Sequence, residues 1–214
     1  MRYKASTLRI IEKLKELYPE GLCSLQYQKD YELLFAVRLS AQCTDARVNL
    51  VTPALFTRFP TLEAFAAADP REVGEYIHSC GFYNGKARDI VACAQKLVNE
   101  YGGRVPGTME ELTGLPGVGR KTANLILGDV YGQPSYVCDT HCIRITGRLG
   151  ITDGSKDPVK VEMQLRRVLP PEESNDFCHR MVLFGRDTCT ARSPKCEGCP
   201  LAKECDTAKA ARRG

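Results

Sequence analysis

Near the end of the chain stands DTCTARSPKCEGCPLAKEC, with Cys189, Cys196, Cys199 and Cys205 in the spacing C-x6-C-x2-C-x5-C. Four thiolates this close can converge on one metal centre. Zinc is one candidate, but four-cysteine zinc sites usually pair two short C-x2-4-C turns, and only Cys196–Cys199 is such a turn. The longer arms suit a larger object with its metals spread out, such as a [4Fe–4S] cube. Free thiols are a poor alternative, because a segment with so few apolar residues could not order itself without a cross-link. In a loop drawn round a cluster, Arg192, Lys195 and Lys203 must point outward. They either stay solvated or present fixed positive charge to a phosphate backbone.

A second set of residues surrounds GLPGVGRKT at 114–122. Its glycines have the separation of a P-loop, but Arg120 pushes Lys121 one residue too late. The preceding TMEELTGL is helical in character, whereas a P-loop follows a buried strand. Helix, tight turn, helix is the reading left. Pro116 fixes one φ angle, and Gly117 and Gly119 let the main chain approach another molecule closely. The helix starting near Gly119 has unpaired N–H groups that suit an anion such as phosphate. Lys121 falls in its first turn, where the dipole and Arg120 oppose an ammonium. In a partly desolvated site it becomes an amine nucleophile able to form a Schiff base; otherwise it is a phosphate contact. Asp139, in VCDTHCIR, can cap a helix or place a carboxylate beside developing positive charge.

Helices must position these groups. Asp30, Asp69-Pro70 and Asp157-Pro158 read as helix starts, as does Ser6 ahead of Leu8, Ile11 and Leu14. Thr108 with Glu111 forms a capping box. A long helix is predicted over 83–101, ending at Gly102-Gly103, with others near 45–58, 119–131, 140–149 and 173–185. Pro53 is expected to kink or end its helix. No stretch alternates with period 2, so the fold class is all-α, with roughly ten helices. The 214 residues, 43% of them apolar, suffice for one large or two small domains. A net charge of +4 permits nucleic-acid binding without establishing it. Eleven cysteines, an odd number, behind an N-terminus with no apolar leader argue against a disulfide scaffold, secretion and membrane insertion. Cys23, Cys43, Cys80, Cys93 and Cys178 are expected in the core.

The cysteine spacing resembles the iron–sulfur loop of the endonuclease III family of DNA glycosylases. LPGVG resembles that family's helix-hairpin-helix, which grips DNA backbone without reading sequence. LPGVGRKTAN, followed eighteen residues after its lysine by the aspartate of V-x-D-T-H, resembles its catalytic arrangement. The resemblance implies that Lys121 is the nucleophile and that Asp139 assists it and stabilises charge on the sugar. It implies DNA contacts at Leu115, Gly117, Val118, Gly119 and Arg120, and also at Arg192 and Lys195. Gln42, in LSAQCTD, matches a residue that enters the gap left by an extruded nucleotide. Phe82, in GFYNGKA, stands where the family has an apolar wedge, commonly leucine. Cys138 and Cys142 depart from the small or branched apolar residues usual beside Asp-Thr-His.

The family further implies two helical domains with a DNA-binding cleft between them. A six-helix domain over 23–133 would hold the hairpin, and 1–22 with 134–214 would hold the cluster. The implied protein is a bifunctional DNA glycosylase and AP lyase with a [4Fe–4S] cluster, acting on oxidised pyrimidines such as thymine glycol. It would act as a monomer on double-stranded DNA with damaged bases or abasic sites, in the cytoplasm of a bacterium or archaeon, at the nucleoid. A monofunctional mispair glycosylase and a non-enzymatic DNA-binding protein are the alternatives.

Overall fold

The structure, a computed structural model, describes residues 3–211. Those residues are all helical in their regular structure, with no strand. The helices are α1 (Ala5–Leu17), α2 (Asp30–Leu39), α3 (Asp45–Arg58), α4 (Leu62–Ala66), α5 (Pro70–Ile77), α6 (Tyr83–Tyr101), α7 (Met109–Thr113), α8 (Arg120–Asp129), α9 (Thr140–Leu149), α10 (Pro158–Val168), α11 (Ser174–Asp187) and α12 (Asp206–Ala211). They form two compact units, Cys23–Tyr131 and Met1–Leu22 with Gly132–Gly214.

The unit over Cys23–Tyr131 is built round α2. Leu33, Leu34, Phe35, Ala36, Val37 and Leu39 are all buried, so this helix is apolar on nearly every side and must be central. Phe65 of α4 closes one end, with ring centroids 5.0 Å from Phe35 and 5.1 Å from Phe59. The unit carries seven α-helices, of which α4 and α7 are five-residue pieces, and the short 3-10 turn His78–Cys80. Asp69 caps α5 through Arg71 N, and Thr108 caps α7 through Glu111 N. Helix α6 ends at Gly102, left-handed at φ 59°.

Three expected boundaries move. Pro53 does not end α3, which continues to Arg58; Val48, Thr52 and Leu55 are buried on both sides of the proline, so packing outweighs the lost hydrogen bond. Helix α1 starts at Ala5, one residue before Ser6. Asp30 lies inside α2, whose start is instead closed by the Glu32 carboxylate accepting from Gln28 N at 2.8 Å and Lys29 N at 3.2 Å.

The other unit packs Ile10, Ile11 and Leu14 of α1, Cys142, Ile145 and Leu149 of α9, and Phe177, Met181 and Phe184 of α11 into its own core. Arg180 of α11 donates to Tyr18 O at 3.0 Å and Pro19 O at 3.2 Å, which anchors the exit of α1. Asp157 caps α10 through Val159 N and Lys160 N. A Cβ at Gly185 would lie 2.3 Å from His141 Nδ1, so α9 and α11 approach closely because that position has no side chain.

The turn between α7 and α8 rests on α2 and α6. Arg38 of α2 and Asp89 of α6 pair at 2.6 Å beneath Gly117. Gly117 has φ +73°, and a Cβ there would lie 2.9 Å from both side chains. Gly119, by contrast, has φ −97° and open space around its Cβ position. Gly117→Ala is therefore expected to cost about 2 kcal/mol in urea unfolding, from left-handed strain plus displacement of the ion pair. Gly119→Ala is expected to cost under about 1 kcal/mol. Equal costs would contradict this account of the turn.

Candidate nucleic-acid interface and metal centre

The turn at 114–119 sorts its groups by direction. Leu115 and Val118 are buried, so they anchor the hairpin and can offer an outside partner only backbone. Lys96 Nζ donates to Gly114 O at 3.1 Å, and Val118 N donates to Leu115 O at 3.2 Å, which closes the turn. Gly117, Gly119, Arg120 and Lys121 are exposed. Gly119 is the N-cap of α8 and has no side chain to occupy the first amides. The exposed residues Gly119, Arg120 and Lys121 thus stand at the positive end of a helix, a place that suits a phosphate oxygen. Lys121 is the second residue of α8 and is exposed.

Gln42 and Phe82 share an unusual backbone state. Among the described residues they are the two non-glycine positions with positive φ, 55° and 48°. Gln42 is exposed in the turn after α2, and Phe82 is 74% exposed at the N-cap of α6. A large apolar ring held outward in a strained conformation costs stability and signals a role in contact with something else.

In the other unit, Asp139 is the N-cap of α9. Its Oδ1 accepts from Cys142 N at 2.7 Å, which locks the carboxylate at the helix start and leaves Oδ2 outside the cap. Cys138 and Cys142 are buried, and Cys178 joins them. Contacts with the Cys138 and Cys178 thiols, together with burial, push the Cys142 thiol well up, so it stays protonated as a small apolar group. Cys80 and Cys93 are likewise buried, whereas Cys23 and Cys43 are only half-buried.

Helix α9 also holds the cysteine loop. Arg144 donates to Cys189 O at 2.9 Å. Arg148 donates to Thr190 O at 2.8 Å, Ala191 O at 2.9 Å and Cys189 Sγ at 3.4 Å. Sequence reasoning missed both arginines, although their i, i+4 spacing on α9 put them on one face. Cys189, Cys196, Cys199 and Cys205 line a cavity of about 140 Å³. Four soft thiol ligands round one cavity are the donor set that an iron–sulfur cluster takes. Leu201 is fully buried beside it, and Arg192, Lys195 and Lys203 are exposed.

Residues 35–171 match the HhH-GPD superfamily of base excision DNA repair proteins, and 189–205 match the iron–sulfur binding domain of endonuclease III. The chain is 46% identical over 208 residues to endonuclease III of Synechocystis sp., covering 97% of this chain and 94% of the relative. It is 40% identical over 195 residues to endonuclease III of Bacillus subtilis, covering 91% and 89%. The structure of a trapped endonuclease III–DNA covalent intermediate, an estranged-adenine complex, superposes with TM-score 0.91 at 39% identity over 100% of both chains. The cofactor of this chain is a [4Fe–4S] cluster. With its hairpin, its cysteine loop and its matched length, the chain belongs to the endonuclease III family of HhH-GPD base excision DNA repair proteins.

Proposed function

We propose that this DNA glycosylase and AP lyase removes oxidised pyrimidines of the thymine glycol type and cleaves the strand 3′ to the abasic site through a Schiff base on Lys121. The observation that carries the reading is Lys121 itself, an exposed amine in the first turn of a helix whose amides suit a DNA phosphate. In its neutral form the amine attacks C1′ as the base departs with its bonding electrons and a proton. The C1′–O4′ bond then opens, its electron pair and a proton going to O4′, which leaves an imine between C1′ and the lysine nitrogen; that imine acidifies the C2′ hydrogen. Loss of that proton expels the 3′ phosphate, and hydrolysis of the imine returns the free lysine. Asp139 stabilises the positive charge that develops on the sugar as the base leaves.

The remaining contacts follow the same reading. The hairpin grips backbone through the Gly117, Gly119 and Arg120 amides, and Gln42 and Phe82 occupy the space left by the extruded nucleotide. Cys189, Cys196, Cys199 and Cys205 hold the cluster, which shapes the loop carrying Arg192 and Lys195 toward phosphate. The protein acts as a monomer at the bacterial nucleoid. Its relatives named above are bacterial, and no described helix is long and apolar enough to cross a membrane.

Borohydride reduction on duplex DNA containing thymine glycol is expected to trap a covalent adduct that Lys121→Ala abolishes; an undiminished adduct in the variant would sink the assignment. Asp139→Asn separates catalysis from capping, because asparagine caps about as well as aspartate. It is expected to keep thermal stability within about 0.5 kcal/mol while lowering base release at least about a hundredfold. Asp139→Ala is expected to lose about 1 kcal/mol as well. Oxidative removal of the cluster is expected to speed trypsin cleavage at Arg192 and Lys195 and to weaken duplex binding. Unchanged cleavage would mean that the loop orders without its metal.

A further inference from the structure

Lys86 is the most completely buried charged side chain among the described residues, with 1% of its surface exposed. Burial pushes its ammonium below the usual lysine range. Its Nζ donates to Leu39 O at 2.8 Å and to Cys80 O at 3.0 Å. Both acceptors are carbonyls at helical C-terminal ends, where the backbone dipole is negative: Leu39 closes α2, and Cys80 closes the short turn His78–Cys80. The charge is thus accommodated by backbone rather than by a carboxylate.

The location of those carbonyls gives the contact a consequence. Three residues beyond Leu39 stands Gln42, and two residues beyond Cys80 stands Phe82. These are the two non-glycine residues with positive φ. The backbone N–H of Lys86 also donates to Phe82 O at 3.2 Å, and Cys43 N closes the Gln42 turn on Ser40 O at 3.1 Å. One side chain therefore links the bases of both strained turns. The Cys43 and Cys80 thiols touch beside it, and the Cys80 thiol, pushed up to about 11 by burial, stays neutral.

We propose that Lys86 is a positioning residue that holds Gln42 and Phe82 in fixed register, so that they enter the base stack as one unit. The proposal rests on the reading of Gln42 and Phe82 as the residues that fill the opened stack. Lys86 touches neither DNA nor the reacting atoms in this scheme. Without its ammonium, two buried carbonyls lose their donor and the turns relax independently. Opening a duplex then no longer starts from a preorganised wedge.

The test compares β-elimination at one abasic site placed in duplex DNA and in a single-stranded oligonucleotide, which has no stacked partner to open. In Lys86→Met the ratio of duplex to single-strand kcat/KM is expected to fall about tenfold. Phe82→Ala is expected to lower the same ratio. The double variant should fall no further than the larger single effect, since both changes disable one unit. A merely structural lysine would lower both arms equally, and an unchanged ratio in Lys86→Met beside a lowered ratio in Phe82→Ala overturns the proposal. Unchanged ratios in Phe82→Ala and Gln42→Ala overturn the wedge reading and the proposal with it. If Lys86→Met does not fold, Lys86→Gln is measured in its place. It keeps N–H donors but is too short to span both carbonyls, and a ratio within about twofold of the parent would overturn the proposal.

Discussion

The contact between α2 and α6 carries the hairpin and the two strained turns proposed to meet DNA. Arg38 and Asp89 pair across it at 2.6 Å, and the hairpin lies on that pair through a glycine that leaves no room for a side chain. Toward the end of α2 and the start of α6, Lys86 joins the two helices again and supports the turns of Gln42 and Phe82. Neither interaction is chiefly a source of stability. A half-buried ion pair yields little after desolvation, and a buried ammonium is costly. What both supply is registration. They convert a general apolar contact, which tolerates sliding, into one arrangement fixed by polar groups with defined partners.

The other unit meets a different constraint. Residues 189–205 contain too little apolar surface to fold as an element, with Leu201 and Ala202 their buried apolar residues. The loop is held by the arginines of α9, and in the proposed scheme also by the cluster on its four cysteines. Because Arg144 and Arg148 stand on the helix that Asp139 caps, the carboxylate and the cluster loop are fixed to one rigid rod. A shift of the loop is thereby resisted by the same hydrogen bonds that orient the start of α9.

Legibility in the sequence follows the range of the interaction. The start of α9 at Thr140, the cap at Asp139, the end of α6 at Gly102 and the capping box at Thr108 depend on residues a few positions apart, and their signals are local. The cysteine spacing is readable for the same reason, since a chelating loop must be short. At Pro53, where the local rule allows an end or a kink, packing on both sides of the proline keeps α3 running to Arg58. Lys86 and Arg38 gave no signal, because Leu39 and Asp89, the partners that tie α2 to α6, lie 47 and 51 residues away from them. A lysine four residues after Phe82, in a helix rich in polar residues, reads as one more solvated charge until its burial is seen.

The positive φ angles at Gln42 and Phe82 show how such hidden supports become necessary. Glycine would adopt either turn at no steric cost, but glycine cannot reach into a base stack. A side chain of useful length at these positions brings left-handed strain of about 1–2 kcal/mol each. Such strain persists only where the surroundings over-determine the backbone. At Phe82 the surroundings are the first turn of α6, whose amides at Gly85 and Lys86 bond back to Phe82 O. At Gln42 they are the last turn of α2, closed by Ser40 and Cys43. Lys86 is the side chain common to both, and its burial becomes intelligible as the counterpart of two strained, exposed residues. Strain at the surface and a desolvated charge beneath it are each unfavourable alone. In the proposed scheme they together hold ready a shape that binding to intact, stacked DNA would otherwise have to build.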